Sequence, residues 1–416
     1  MRICQISKAD AFGGGASRVA EELTTLLRSH GHQAHHLASW SGKPYDEIRR
    51  PLYGKRDGMI RESHLRQKRL GIPELVPFEL PGLLTGQDIL SYDLLHFHDL
   101  SSAISPLTLI ALAQIRPVLW TIHDCSPFTG GCLYPMECTR FREHCGGCPQ
   151  IGTWPIDTKV DLTPLLRWVK AKVHQSGVRC VTPSQWMSDL AFSSGMFRQS
   201  PQVVSNGVDT DLYWAHPKVD IRRELGLPED RRIIMISAGH LSDARKGAVY
   251  AARAVQSIRD QNPFLILLGA NDDQFRRAVQ GIDFHSPGYI GDPAILAKYY
   301  SAADLMLFCS LADNQPLTLL ESLASGTPVV GFAVGGIPGI IPQDECGFLV
   351  PEKHEAALAT ALRYAFEGDR LARWSKNARQ RAVSVYSHQR FYENHVALYR
   401  KILDGVTAPM QSGASA

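Results

Sequence analysis

Residues 304–338 read DLMLFCSLADNQPLTLLESLASGTPVVGFAVGGIP, and they carry most of the fold in one stretch. Leu305 to Cys309 is a short apolar run of buried-strand length, followed by the polar turn Leu311 to Gln315. Pro316 is expected to open a helix at the position where a missing N–H costs nothing. Leu317, Leu319, Leu320 and Leu323 give that helix an apolar face, and Gly326 with Pro328 ends it. A second apolar strand, Val329 to Val334, follows at once and stops at Gly335-Gly336. The pattern is one strand–helix–strand unit of a parallel sheet.

Two acids lie in this unit with seven residues between them, Asp313 before the helix and Glu321 within it. Open α/β sheets bind ligands beyond the carboxyl ends of their strands, and both acids are expected there. The amides of Leu317 and Thr318, in the first turn after Pro316, suit an anion. Two carboxylates flanking an anion site suggest a sugar nucleotide. An acidic cap loop and one solvated helix glutamate would give the same spacing.

An acid, seven residues and a glutamate, followed by SGTPVV and GGIP, resembles the retaining glycosyltransferases of family 4. That resemblance implies an α/β fold of the GT-B type, two Rossmann-like domains facing across a cleft. The family usually has glutamate at both acidic positions; here the first is Asp313, shorter by a methylene.

The 416 residues, 44% hydrophobic with a net charge of +3, suit two domains and give no basic surface for a nucleic-acid partner. The start, MRICQISKADAFGGG, lacks the apolar run of a signal peptide, and no apolar stretch approaches the roughly 20 residues of a membrane span. A cytoplasmic enzyme is the expectation. Nine cysteines, an odd number, fit reduced thiols or a metal site better than a disulfide scaffold.

Arg2 to Ser7 reads as a first strand, and Gly13, Gly14 and Gly15 lead into a helix with Val19, Leu23, Leu26 and Leu27 on its apolar face. Such a turn admits a ligand close to backbone, although it lacks the spacing of a dinucleotide fingerprint. By resemblance this glycine loop meets the donor diphosphate. Residues 43–70 carry nine Lys or Arg (Lys43, Arg49, Arg50, Lys55, Arg56, Arg61, Arg66, Lys68, Arg69) against four acids. They read as an irregular insertion with short helical pieces, either a solvated surface or a contact with anionic lipid headgroups or a lipid-linked phosphate.

Strands are expected at Asp93–His98 and Val118–Ile122, with a helix over Ser102–Ile115 between them. The second strand delivers His123-Asp124, and His123 resembles the family's histidine near the donor sugar. A core histidine held by Asp124 is the alternative. His98 ends the neighbouring strand on the acceptor side.

Cys125, Cys132, Cys138, Cys145 and Cys148 follow, closing with CGGCP. Cys145 and Cys148 have the two-residue gap of a metal knuckle, and Cys132 with Cys138 could complete a tetrahedral structural zinc site. Free thiols or an air-formed disulfide are the alternatives. The HD, TGGC and CGxCP pattern resembles a subset of family 4 that builds bacterial exopolysaccharide.

NGVDTDLY, from Asn206, resembles the family's interdomain junction, which divides the chain into 1–205 and 206–386. A last helix, 387–404, is expected to return to the first domain, and 405–416 to be a disordered tail. In the second domain GHLSDARKG places Arg245 and Lys246 between a strand and a helix, where two cations can neutralise a diphosphate. His240 stands where family members have arginine.

The resemblance therefore implies transfer of a sugar from a nucleoside diphosphate sugar to a hydroxyl of a lipid-linked or saccharide acceptor, with retention and no catalytic cofactor. It assigns His123, Asp313 and Lys246 to catalysis. Gly13–Gly15, Arg245, Lys246, Pro316, Leu317, Thr318 and Glu321 are assigned to the donor. An epimerase or phosphorylase of the same fold, or a metal-sensing binding protein, is the rival reading. A peripheral station on the anionic inner membrane face is the expected setting.

Overall fold

The computed structural model describes residues 1–407 except 87, 102, 241, 242, 271 and 272. It divides into two compact units, Met1–Ser205 with the residues from Tyr392 onward, and Asn206–Phe391.

Among the described residues, the first unit holds a seven-stranded parallel sheet. Its strands are β1 (Arg2–Ala9), β2 (Gln33–Trp40), β3 (Arg49–Pro51), β4 (Leu94–Phe97), β5 (Val118–Thr121), β6 (Arg179–Thr182) and β7 (Gln202–Val203), in the order β3-β2-β1-β4-β5-β6-β7. The second holds six parallel strands, β8 (Ile233–His240), β9 (Phe264–Ala270), β10 (Phe284–Gly288), β11 (Leu305–Phe308), β12 (Val329–Phe332) and β13 (Gly347–Val350), in the order β10-β9-β8-β11-β12-β13. Both orders reverse direction once, beside the first strand of each sheet. Such a switch leaves a crevice at the carboxyl ends of β1 and β4 in one unit and of β8 and β11 in the other.

The short central strands are buried along their whole length, as helices on both faces require. Close packing fixes several glycines. A Cβ on Gly331 would stand 2.2 Å from the Phe308 carbonyl oxygen, and one on Gly347 would stand 2.0 Å from that of Val329. Neither strand pair tolerates a side chain there.

Three expectations need correction. Pro316 caps the helix with extended backbone (ψ 131°), and the helix itself is Leu317–Ala324. Residues 43–70 are more regular than their sequence suggests, forming the edge strand β3 and a 13-residue helix, Asp57–Arg69. Arg61–Asp57 and Arg66–Glu62 pairs one turn apart support that helix where apolar periodicity is weak. The last helix runs His388–Thr407, so 405–407 are helical; residues 408–416 of the expected tail lie outside the described residues.

Candidate functional site

In the second unit the turn after β8 closes as a short 3-10 helix, Ala244–Lys246, capped by Asp243, whose side chain accepts from the Arg245 amide. Gly247 follows in the left-handed region (φ 64°), and a Cβ on it would stand 2.0 Å from the Cys309 carbonyl oxygen. The turn is thereby pressed against the end of β11. The amide of Leu311 donates to the Arg245 carbonyl at 2.7 Å, tying the two loops together.

Asp313 lies in that second loop. Its Oδ2 accepts from Lys246 Nζ at 2.8 Å and its Oδ1 from Arg245 Nη1 at 3.3 Å. The loop is held from behind, because the Gly336 amide donates to the Asp313 carbonyl at 3.1 Å. Gln315 fixes its far end: the Asn206 amide donates to Gln315 Oε1 at 2.6 Å, and Asn206 Nδ2 to the Gln315 carbonyl at 3.1 Å. Leu317 and Thr318 then open the helix, where amides have no partner one turn back. Glu321 is almost wholly buried, at 1% exposure, and its Oε2 accepts from the Tyr300 hydroxyl at 2.9 Å.

The first unit's crevice is built from histidines. His98 Nε2 donates to Gln5 Oε1 at 2.8 Å, and Gln5 Nε2 donates to the Tyr399 hydroxyl at 3.0 Å. Tyr399 in turn donates to His96 Nδ1 at 2.7 Å, and His96 Nε2 donates to Thr121 Oγ1 at 2.7 Å. That leaves His98 Nδ1 as an acceptor, and His123 Nε2, 3.0 Å away, is the donor to it. Burial depresses all three rings, His123 to about 4 and His96 and His98 well below the usual range, so the chain is neutral. Asp124, the partner of His123 in the alternative reading, bonds to the backbone of its own loop. Its Oδ1 accepts from the Ser126 amide at 2.7 Å, and burial together with the nearby Asp99 pushes its carboxyl up to about 6. His98 is buried inside this network and does not line the cavity beside it.

Gly13 lies in a 3-10 turn capped by Asp10, and a Cβ on it would stand 2.2 Å from that of Ala9. Gly14 (φ 112°) and Gly15 have open space on their Cβ side. Beyond the ends of β1, β4 and β5 lies a cavity of about 220 Å³, lined by Lys8, Ser101, Trp120, Ser126, Trp154 and Lys170 among others. Lys8 is paired with Asp99 at 2.7 Å, and Lys170 Nζ donates to the Ser126 carbonyl at 2.8 Å.

Residues 13–212 match the family described as Glycosyltransferase Family 4, and residues 232–367 match Glycosyl transferases group 1. The chain belongs to the family 4-type glycosyltransferases. It is 26% identical over 294 residues to a putative colanic acid biosynthesis glycosyl transferase, WcaC, of Escherichia coli, a match covering 68% of each chain. It is 29% identical over 215 residues to the D-inositol 3-phosphate glycosyltransferase of Corynebacterium glutamicum, covering 47% of this chain and 50% of that one. The second of these matches thus spans about half of the relative's length. Among solved structures, sucrose-phosphate synthase from Thermosynechococcus elongatus superposes with a TM-score of 0.71 at 20% identity, covering 97% of this chain and 100% of the other. Anabaena Alr3699/HepE in complex with UDP does so with a TM-score of 0.68 at 16% identity, covering 96% and 100%. The fold of this glycosyltransferase is accordingly of the GT-B type, with two Rossmann-like units.

In this glycosyltransferase the second unit brings Arg245, Lys246 and Asp313 into contact, and Pro316, Leu317, Thr318 and Glu321 continue the same loop and helix. The first unit joins His98 to His123. Sequence reasoning passed over the residues that hold these groups: Tyr300, Gln315, Gln5 and Tyr399. Gln315 lies inside the motif and Tyr300 one helix before it, whereas Gln5 and Tyr399 are 394 residues apart and share no local signal. Cys132, Cys138, Cys145 and Cys148 surround one small cavity behind the larger one.

Proposed function

We propose that this glycosyltransferase moves a sugar from a nucleoside diphosphate sugar to a hydroxyl of a saccharide or lipid-linked acceptor, with retention of configuration, in the assembly of a surface polysaccharide. The observation that carries the reading is the Lys246–Asp313 contact at 2.8 Å, with Arg245 on the other oxygen, just before the helix Leu317–Ala324. Two cations and a helix N-terminus are suited to a leaving diphosphate. A helix terminus alone contributes up to about 2 kcal/mol in a partly buried setting, so Lys246 and Arg245 have to share the task. Together they give the leaving group enough positive charge for the reaction to run without a divalent ion.

Asp313 would exchange its cations for hydroxyls of the donor sugar as the diphosphate takes them over. Glu321, oriented by Tyr300, is assigned to the ribose, and His123 to the donor sugar, both on the resemblance of their motifs. The neutral His123 of this structure suits a hydrogen bond to a hydroxyl better than an ion pair with phosphate. A front-face route, in which the leaving phosphate helps to deprotonate the acceptor, fits these groups. HepE was crystallised with UDP and with UDP-glucose, which supports a donor of that class.

The cavity of about 220 Å³ in the first unit, with Trp120 and Trp154 beside Lys8 and Lys170, is the candidate acceptor pocket. Its aromatic faces suit a sugar ring. WcaC is named for colanic acid biosynthesis, which supports a polysaccharide setting. No described helix is long and apolar enough to cross a membrane. A peripheral station at an anionic membrane draws little support from residues 43–70, because Arg49, Arg61, Arg66 and Lys68 are each paired with an acid.

The test is turnover of the preferred donor with a saccharide acceptor, the new glycosidic bond being read by NMR. The reading predicts a product with the anomeric configuration of the donor. An inverted product removes retention, and conversion of the donor without an acceptor favours the epimerase.

A further inference from the structure

The four cysteines between Cys132 and Cys148 surround a single cavity of about 20 Å³, walled otherwise by residues such as Phe141, Ile156 and Thr163. Each of the chain's nine cysteines, all among the described residues, is a free thiol.

The backbone around them is shaped like a ligand turn. Cys145, Gly146 and Gly147 all have positive φ (58°, 95° and 55°), so Cys145 and Cys148 are presented from one tight loop. Outside the sulfurs a set of contacts fixes the loop. The Cys148 amide donates to Asp161 Oδ2 at 2.9 Å, the Gly146 amide to Thr163 Oγ1 at 3.1 Å, and Arg140 Nη1 to the Gly146 carbonyl at 2.8 Å.

We propose that Cys132, Cys138, Cys145 and Cys148 bind one zinc ion as a closed, structural tetrathiolate site. Four cysteines around one small void, on a loop fixed by a surrounding shell of hydrogen bonds, are a ligand set that selects zinc when deprotonated and leaves no open coordination position. Among the described residues no three His, Cys, Asp or Glu side chains already stand together as a ligand set, so the thiols turn inward on binding. Gly130, Ile156 and Thr163 line both this cavity and the larger one. The ion therefore fixes a wall of that pocket and takes no part in chemistry. This proposal stands independently of the transfer reaction.

The experiment is metal analysis of the full chain purified without a metal-affinity step, with zinc release followed as thiols are titrated with a mercurial. One zinc per chain, released as four thiols are consumed, is expected, and Cys145→Ser with Cys148→Ser should abolish it. Should that variant fail to fold, exchange of the wild-type protein with cobalt(II) provides the second measurement. The site predicts intense sulfur-to-cobalt charge-transfer absorption and tetrahedral ligand-field bands. A chain that carries no zinc, gives no cobalt thiolate spectrum, and has its four cysteines freely alkylated or joined as disulfides overturns the proposal.

Discussion

The Lys246 ammonium stands 2.8 Å from the Asp313 carboxylate, across the point where the strand order of the second sheet reverses. One residue comes from the loop after β8 and the other from the loop after β11, so adjacent strands deliver opposite charges to one crevice. The pair is only partly exposed, with side-chain exposures of 23% and 11%.

Removing the cation should cost turnover and spare the fold. Lys246→Ala is expected to lower kcat/KM by about 10²–10³-fold, the usual loss when one donor to a developing negative charge is deleted. Lys246→Arg keeps the charge and should recover part of that loss. Steady-state kinetics beside circular dichroism decide the matter; near-wild-type turnover of the alanine variant would withdraw Lys246 from the mechanism.

Gly335 supports Asp313 through its lack of a side chain. It has φ +57°, and a Cβ there would stand 2.0 Å from the Asp313 carbonyl oxygen. Gly335→Ala should destabilise the protein by about 1–3 kcal/mol and displace Asp313 from Lys246. Gly339→Ala, whose Cβ meets nothing within 4 Å, is the control and should be close to neutral. Equal urea midpoints for the two variants would contradict the packing argument.

Tyr300 orients a carboxylate that is almost wholly buried. Tyr300→Phe removes one donor to Glu321 and should cost about 1–3 kcal/mol of stability, the range for leaving a buried polar group short of a partner. If Glu321 holds the ribose, nucleotide affinity falls as well. Unchanged stability and unchanged affinity together would show that the Tyr300 contact orients nothing.

The first unit should be the acid-sensitive one. Burial chiefly holds His36, His123 and His174 at about 4, and His96 and His98 lower still, against about 6.5 for an unfolded histidine. Between those values the unfolded chain binds protons that the folded unit does not. Stability therefore falls as pH drops below about 6.5, by up to about 1.4 kcal/mol per pH unit for each histidine. His35 of the same unit is also held at about 4 and His32 is lowered, whereas Asp124, raised to about 6, acts in the opposite sense. Hydrogen exchange followed by mass spectrometry between about pH 7 and pH 5 should show β1, β4 and β5 losing protection before β8 and β11. Simultaneous loss in both units would contradict this.

How much of this was legible follows from where each signal lies. The unit from Leu305 to Phe332 was readable because a buried strand, a capped helix and a second strand lie consecutively, each with its own pattern. The strand Gln33–Trp40 was not, since QAHHLASW looks polar; His36 is buried there only because its ring is neutral and bonded to Ser7 Oγ at 2.7 Å. The helix Thr163–Gln175 did carry a signal, with Leu166, Val169 and Val173 at helical spacing, but it follows a loop dominated by cysteines and glycines. At the site, motif residues were visible and their supports were not. Gln5 and Tyr399 meet only after the whole chain has folded.

The most direct measurement is calorimetric titration of UDP, GDP, ADP and TDP sugars into the wild-type protein and into Lys246→Ala. One donor is expected to bind the wild type and to lose most of its affinity in the variant, while the unfolding transition of the two proteins stays the same. No binding by any donor, or equal binding by both proteins, would contradict that expectation.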